Sequence, residues 1–490
     1  MHSLSKSTFV RGCQCLKSLY LNKYHKEFQS TISENQAAIF EQGKDVGLLA
    51  RKLFPKGIDA SPKNYFSYDE SIKKTELAIK KGKTAIYEAA FLFDDVLAAL
   101  DILVKDSDGW KAFEVKSSTE VKDAHILDAA LQYYIIHKTG ISLQDIFIIH
   151  INNQYARDEE LEIEKLFIKK SIIKEVAELQ TFISQKIGEL KSVLMQKEIP
   201  DIEIGLQCND PYPCNFIDYC WKKVPPYSVF DIANLRTTKK FELFNQGIIQ
   251  LKDIPKDFNL NANQWQQVNC AIEQKSIIDK PRIKEFIDKL IYPLYFLDFE
   301  TFQLAIPKFV HSRPYQQLVF QYSLHKQNSK GSDLFHTEFI AETNSNDPRI
   351  SFIKKLINDC GVKGDILVYN IAFERTRLQE LANDFPAFSD SILSILNRLK
   401  DLMIPFKERW FYTPEMKGSY SIKVVLPALL PEFSYTNLEI KDGSSASSTY
   451  SSMVQSVFSG DVKKSLKALS EYCKLDTLAM VKILEKLYSM

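Results

Sequence analysis

No stretch of this 490-residue chain approaches the ~20 consecutive apolar residues that a membrane-spanning helix requires. Residues 1–26 lack the apolar centre of a secretory signal, so the expectation is a cytoplasmic protein whose thiols stay reduced. There are no internal repeats and no long low-complexity tracts, which excludes solenoid and propeller architectures. Charge of one sign is also missing. A formal net charge of +1 neither supports nor forbids a nucleic-acid partner, because a basic groove can be balanced by acids elsewhere. What is present is ordinary globular material, 45% apolar and 26% charged, long enough for two or three domains.

Against that background the cysteines are unusual in their spacing. Cys208, Cys214 and Cys220 follow one another at two equal steps, and Cys15 lies far upstream. Clustered reduced thiolates hold zinc or an iron–sulfur cluster more readily than they form a disulfide framework. Cys13 competes with Cys15 as a fourth ligand. Cys270, Cys360 and Cys473 have no neighbouring thiol and read as small buried apolar residues.

Between Cys15 and Cys208 lies an acid and base pattern. Leu97 to Lys105 reads as an apolar strand, Asp106 to Gly109 as a turn and Trp110 to Lys116 as a second strand, so a hairpin brings Asp101 near Glu114. Glu114 and Lys116 are two apart and share a face. Two carboxylates can hold Mg²⁺ or Mn²⁺ against a phosphate while the lysine stabilises charge on the attacking water. A salt-bridged surface hairpin is the plainer alternative. The next helix carries Gln132 and Tyr133.

Cys15 with its Leu-Tyr-Leu run, Asp101, Glu114-Val-Lys116, Gln132-Tyr133 and the cysteine trio occur in the order seen in RecB-like nucleases of the PD-(D/E)xK superfamily, and this part of the chain resembles their CRISPR-associated branch. The resemblance covers about residues 1–224. It implies Asp101 and Glu114 as metal ligands, Lys116 as the catalytic lysine, Gln132 and Tyr133 as supporting or DNA-side residues, and Cys15, Cys208, Cys214 and Cys220 as ligands of a [4Fe-4S] cluster, with zinc as the alternative. Such nucleases often carry a metal-binding histidine in an early helix, whereas Gly43 to Arg51 has none. Glu88 is either a substitute ligand or an exposed glutamate at a helix end. Five basic residues from Lys6 to Lys26 precede the first acid, Glu27, which suits a polyanion.

Pro225-Pro226 marks a hinge into a helical segment, 225–290, with helices expected over Lys239 to Gly247 and Asn261 to Gln274. It reads as a helical linker, with a backbone-gripping helical hairpin as the other possibility. From residue 291 a second signature begins. Asp298 and Glu300 interrupt an apolar strand on one face, where two unpaired acids are costly without a cation. Asp365 to Tyr369 reads as another strand leading into a helix that bears Glu374. The last helix carries Tyr472 and Asp476 on one face. Asp401 could equally cap a helix and is left out of the site, and Asp442 to Thr449 reads as a flexible polar loop.

These pieces, over about residues 291–490, resemble the DEDDy exonucleases of the DnaQ-like, ribonuclease H fold class. The resemblance implies Asp298, Glu300 and Asp476 as ligands of two divalent ions, Tyr472 as the residue that orients the attacking water, and Glu374 where that family normally offers aspartate. Lys423 stands in a segment where a lysine approaches substrate phosphate. The whole arrangement resembles that of an uncharacterised bacterial family. The expectation is an α/β chain: a restriction-endonuclease-like core followed by a ribonuclease H-like mixed sheet flanked by helices. Its function would be phosphodiester hydrolysis, on DNA in preference to RNA, with a helicase or a repair or defence protein as partner. The rival expectation is a nucleic-acid-binding scaffold with one or both sites inactive.

Overall fold

The computed structural model describes residues 3–31, 34–64, 67–343 and 346–490. The chain is a mixed α/β protein that divides into two compact units, 1–223 with 304–315, and 224–303 with 316–490. Among the described residues no helix is long and apolar enough to cross a membrane.

The first unit is built on a seven-stranded mixed sheet. Its strands are β1 (Leu4–Ser5), β2 (Ile58–Asp59), β3 (Ala85–Phe93), β4 (Val96–Asp106), β5 (Gly109–Lys116), β6 (Leu143–Ile151) and β7 (Phe167–Ser171). The order is β2-β3-β4-β5-β6-β7, with β1 added to β4 in parallel. β4 and β5 form the expected hairpin, pairing Ile102 with Phe113 through to Asp106 with Gly109. β5 then pairs in parallel with β6 from Trp110 to Lys116. Three helices matter for the site: α1 (Lys6–Gln14), α2 (Leu16–Tyr24) and α3 (Asp123–Lys138).

Alternation along the strands buries both faces of this sheet. Leu100, Leu103 and Ile148 join Phe9, Leu131 and Ile135 in one core. Ile102, Phe113 and Ile149 join Val46, Leu166 and Ala305 in another, against which Ile306 and Tyr315 also pack. Residues 304–315 therefore complete a core whose remaining members lie far earlier in the chain. Arg157 fixes the segment by donating from its guanidinium to the Pro307 carbonyl at 3.0 Å, and the Tyr315 hydroxyl donates to the Ser117 carbonyl.

The second unit has a short ribbon, β8 (Ile277–Ile278) with β14 (Phe411–Tyr412), and a five-stranded mixed sheet. The latter comprises β9 (Leu294–Phe302), β10 (Leu318–Gln327), β11 (Leu334–Ile340), β12 (Ile366–Val368) and β13 (Leu399–Asp401), in the order β11-β10-β9-β12-β13. β9 is antiparallel to β10 and parallel to β12. Tyr295, Leu297 and Phe299 of β9 enter a core with Phe352, Leu356 and Leu378, which turns Asp298 and Glu300 to the opposite face.

Helices of this unit used below are α4 (Thr237–Asn245), α5 (Ala262–Glu273), α6 (Ile371–Asp384), α7 (Ile422–Leu429), α8 (Gly443–Val454) and α9 (Val462–Tyr488). α4 stops before Gly247, whose φ of 78° suits a residue without Cβ, and α5 starts at the Asn261 cap, which accepts from the Gln264 amide. The polar loop expected over Asp442 to Thr449 is instead the start of α8. Asp442 caps it, accepting from the Ser445 amide at 2.8 Å, and Ala446, Tyr450, Met453 and Val454 form a buried stripe at helical spacing.

Candidate functional site

In the first unit, Asp101, Glu114 and Lys116 come together where β4 and β5 part. Beyond Phe113 the strands no longer pair, and the Asp101 carboxylate takes the place of a strand partner by accepting from the Val115 amide at 2.6 Å. Glu114 is 1% exposed and uses both oxygens. Oε1 accepts from Lys116 at 2.8 Å and from Lys6 at 2.6 Å, and Oε2 accepts from Gln132 at 2.9 Å. Asp128, one turn before Gln132 on α3, accepts from Lys116 at 2.6 Å.

Lys6 and Asp128 were not identified as site residues in the sequence. The only local sign of Asp128 is its i,i+4 spacing from Gln132, and Lys6 gives none, because it arrives from the first turn of α1. Tyr133 points elsewhere: its ring stacks on His137 and packs against the core. Glu88 lies within β3 rather than at a helix end, and pairs with Arg51 at 2.9 Å.

The electrostatics of this cluster are nearly self-compensating. Burial would raise the Glu114 carboxyl, but Lys116 and Lys6 outweigh it and hold the group below the usual carboxylate range. Burial and the charge on Glu114 push Asp101 up to about 7. Both lysines stay charged, since Asp128 and Glu114 overcome a burial that would otherwise lower them.

The acid cluster in the second unit is less compensated: the charge on Lys423 pulls Asp298, Glu300 and Asp476 down, but burial outweighs it. Asp298, Glu300 and Asp476 each present an oxygen within 4.8 Å of the others, and among the described residues they are the one set of three or more His, Cys, Asp or Glu donors that meets so closely. Asp298 and Glu300 come from β9 and Asp476 from α9, so distant chain segments build the set. Among the described residues no lysine or arginine pairs with any of the three. Burial, followed by repulsion from neighbouring acids, raises Asp298 and Glu300 well above their ordinary range, and burial raises Asp476.

Glu374, on the first turn of α6, is 2% exposed with a buried Oε2 that has no hydrogen-bond partner. It lies outside the close set, but faces Asp298 closely enough for that charge to add to the upward push of burial. Asp401 does not cap a helix of its own. From the end of β13 it accepts from the Asn370 amide at 3.1 Å and the Met403 amide at 2.9 Å, which fixes the entry to α6.

Two tyrosines and a lysine surround the set. Tyr435 donates to Asp476 at 2.7 Å, and Tyr472 also bonds Asp476 while accepting from Lys423 at 3.0 Å. Burial, then Asp476, pushes the Tyr472 hydroxyl upward, so it remains a donor. Cys473, read in the sequence as an apolar filler, is buried as expected, but its thiol lies 3.4 Å from Asp298 Oδ2.

Cys15, Cys208, Cys214 and Cys220 line one pocket with Lys17, Ser18 and Phe216. Cys13 lies in a different one, beside Ile126 and Leu127. All eight cysteines are free thiols. Burial raises the Cys15 thiol and pushes Cys220 up to about 11. The pocket is assembled by long-range bonds from the first two helices: Gln14 donates to the Gln207 and Tyr212 carbonyls at 2.7 Å, and Lys17 to the Ile202 carbonyl at 2.6 Å.

Comparison with known proteins adds a family without an activity. Residues 295–421 match a domain of unknown function, DUF2779. That span takes in Asp298, Glu300 and Glu374 and ends before Tyr472 and Asp476. The chain is 24% identical over 357 residues to the "Uncharacterized protein MG366 homolog" of Mycoplasma pneumoniae, covering 64% of this chain and 53% of that protein. It is 28% identical over 229 residues to "Uncharacterized protein UU173" of Ureaplasma parvum, covering 42% and 31% respectively. With "Uncharacterized protein MG366" of Mycoplasma genitalium the figures are 25% over 269 residues, 49% and 39%. The chain thus spans between 31% and 53% of the length of these curated relatives.

Proposed function

We propose that this protein is a metal-dependent nuclease that hydrolyses phosphodiester bonds, with a DEDDy-type 3′ to 5′ exonuclease centre in the second unit and a PD-(D/E)xK centre in the first. The observation that carries the reading is the meeting of Asp298, Glu300 and Asp476 within 4.8 Å, with Glu300 and Asp476 buried, Asp298 partly so, and no lysine or arginine paired to them among the described residues. Such a set is unfavourable by itself and suits hard divalent cations that prefer oxygen ligands. The five-stranded order β11-β10-β9-β12-β13, with acids on the central strand and on the final helix, supports a ribonuclease H-like core. The end of β4–β5 pairing beside Asp101 and Glu114 likewise supports a restriction-endonuclease-like core.

Mg²⁺ or Mn²⁺ bound to the acids would supply charge neutralisation at the phosphate and a lowered water pKa. The chain supplies the rest. Tyr472, held by Lys423 and Asp476, presents a fixed hydroxyl beside the acids to orient the attacking water, and burial keeps that hydroxyl protonated, so it does not act by taking a proton. Lys423 brings positive charge next to the carboxylates, where a scissile phosphate would lie. In the first unit, Lys116 is poised to stabilise charge on the nucleophile.

Four free thiols lining one pocket, brought from two distant stretches of the chain, suit a [4Fe-4S] cluster, with zinc as the alternative. DNA is favoured as substrate, with a helicase or a repair or defence protein supplying free ends in the cytoplasm.

The test is cleavage of end-labelled single- and double-stranded DNA and RNA by the anaerobically purified full-length protein in Mg²⁺, Mn²⁺ or EDTA. Asp298→Ala should remove stepwise 3′ degradation and Lys116→Ala any separate cutting. Absence of metal-dependent cleavage on every substrate would defeat the reading. A second reading applies to the first unit alone: Lys6 and Lys116 already neutralise Glu114, which favours a site that holds nucleic acid without cutting it.

A further inference from the structure

We infer that Lys6 is a built-in competitor for the divalent cation of the first unit, a tethered ammonium seated on Glu114 that an incoming ion must displace. The inference rests on reading Asp101, Glu114 and Lys116 as a metal centre, and concerns a residue that this reading leaves out.

Local sequence delivers Lys6 to this position. Leu4 and Ser5 add as a parallel strand to β4, with Leu4 opposite Val96 and Ser5 opposite Leu97, so the chain enters alongside the strand that bears Asp101. Ser5 then turns the chain into α1, its amide donating to Thr8 Oγ1 at 2.7 Å. Lys6 is the first helical residue. Its ammonium reaches Glu114 Oε1 at 2.6 Å, the Ala99 carbonyl at 3.5 Å and Asp128 Oδ2 at 4.0 Å.

The consequence for an ion is specific. Glu114 Oε1 already serves Lys6 and Lys116, and Oε2 serves Gln132. A cation bridging Asp101 and Glu114 needs one of those oxygens. Lys116 has a second anchor in Asp128 at 2.6 Å and Gln132 lies fully buried, whereas Lys6 reaches Asp128 only at 4.0 Å; with its side chain 28% exposed against 21% for Lys116, Lys6 is the more weakly held lysine. The side-chain amide oxygen of Gln132, Oε1, is buried with no hydrogen-bond partner, an acceptor that the lysine-filled arrangement leaves unused. In the second unit Lys423 bonds the Tyr472 hydroxyl, and among the described residues no lysine is seated on an acid of the set, so the two centres should differ in ion affinity within one protein.

The experiment is Mn²⁺ binding to the full-length protein, followed by loss of the free-ion electron paramagnetic resonance signal. An Asp298→Asn/Asp476→Asn background silences the second centre. Lys6→Met should bind Mn²⁺ at least about tenfold more tightly than this parent, a shift of ~1.4 kcal/mol in binding free energy. Lys6→Gln provides a second uncharged variant should the first fold poorly, and Lys6→Arg should retain the parent's weak binding. Glu114→Gln should abolish binding in every case. If the uncharged variants bind no more tightly than the parent while Glu114→Gln still abolishes binding, the competitor role is overturned and the metal centre stands. If Glu114→Gln leaves binding unchanged throughout, the centre itself is misassigned and the inference falls with it.

Discussion

Lys423 donates a 3.0 Å hydrogen bond to the Tyr472 hydroxyl, joining the second residue of α7 to the face of α9 that also bears Asp476. A hydroxyl restrained from two sides is oriented before substrate arrives. Tyr472→Phe and Lys423→Met should therefore each slow metal-dependent hydrolysis, on the order of 100-fold in kcat. Because the two act as one unit, the double variant should lose little more than either single one. Steady-state rates on 3′-labelled single-stranded DNA provide the check.

The acid set makes stability depend on pH in a definite direction. Asp298, Glu300, Asp476 and Glu374 bind protons more tightly folded than unfolded. Their contribution is fully present below about pH 4, where the unfolded groups are also protonated, and is lost as pH rises through the raised folded values. In EDTA the melting temperature of the second unit should thus fall as pH rises from about 5 to 8. Mn²⁺ should restore it, and Asp298→Asn should flatten the slope. Asp101, at about 7, adds a loss of the same sign in the first unit. Glu114 has the opposite sign, its contribution vanishing only as pH falls through its depressed value, below this window.

The cysteine pocket should be separable residue by residue. Substituting Cys15, Cys208, Cys214 or Cys220 by serine should remove absorbance near 400 nm from anaerobically purified protein and lower its melting temperature, because a bound group at this position closes a long loop. Cys13→Ser should leave the spectrum unchanged, since that thiol lies in another pocket. Iron and zinc analysis of the same samples would tell a cluster from a zinc site.

Gly443 provides a steric probe of the second centre. It opens α8, and a Cβ at this position would sit 3.5 Å from Glu300 Oε2, an ordinary contact. Gly443→Ala should fold and retain most activity. Gly443→Leu should push apolar bulk against the acids and depress cleavage by about tenfold or more, with weakened Mn²⁺ binding measurable on the same protein.

A fragment ending at residue 224 should be less stable than the corresponding unit in the full chain. It lacks Ala305, Ile306 and Tyr315, which pack into one core of that unit. Protection of β5 and β6 amides from hydrogen exchange in the two proteins would measure the difference.

Much of the second centre was legible in the sequence because buried strands tolerate so few acids. Asp298 and Glu300 stand out in an otherwise apolar run, and Asp476 sits one turn after Tyr472 in a strongly patterned helix. Lys6 and Asp128 were missed because their meaning comes from partners about a hundred residues away or a helix apart, for which local spacing carries no signal. The 304–315 segment was hidden for the same reason. Helix α8 is different: serine content suggested a loop, yet Ala446, Tyr450, Met453 and Val454 carried the helical period in plain view.

The course of residues 304–315 also constrains how the polypeptide matures during synthesis. Its N-terminal unit cannot bury its second face until Tyr315 has left the ribosome, by which time β9 and the acids it bears have already emerged. At about 5–20 residues per second, the roughly ninety residues after position 224 take ~5–20 s to appear. For that interval the nascent chain carries an unfinished hydrophobic surface, a natural point for chaperone engagement during translation.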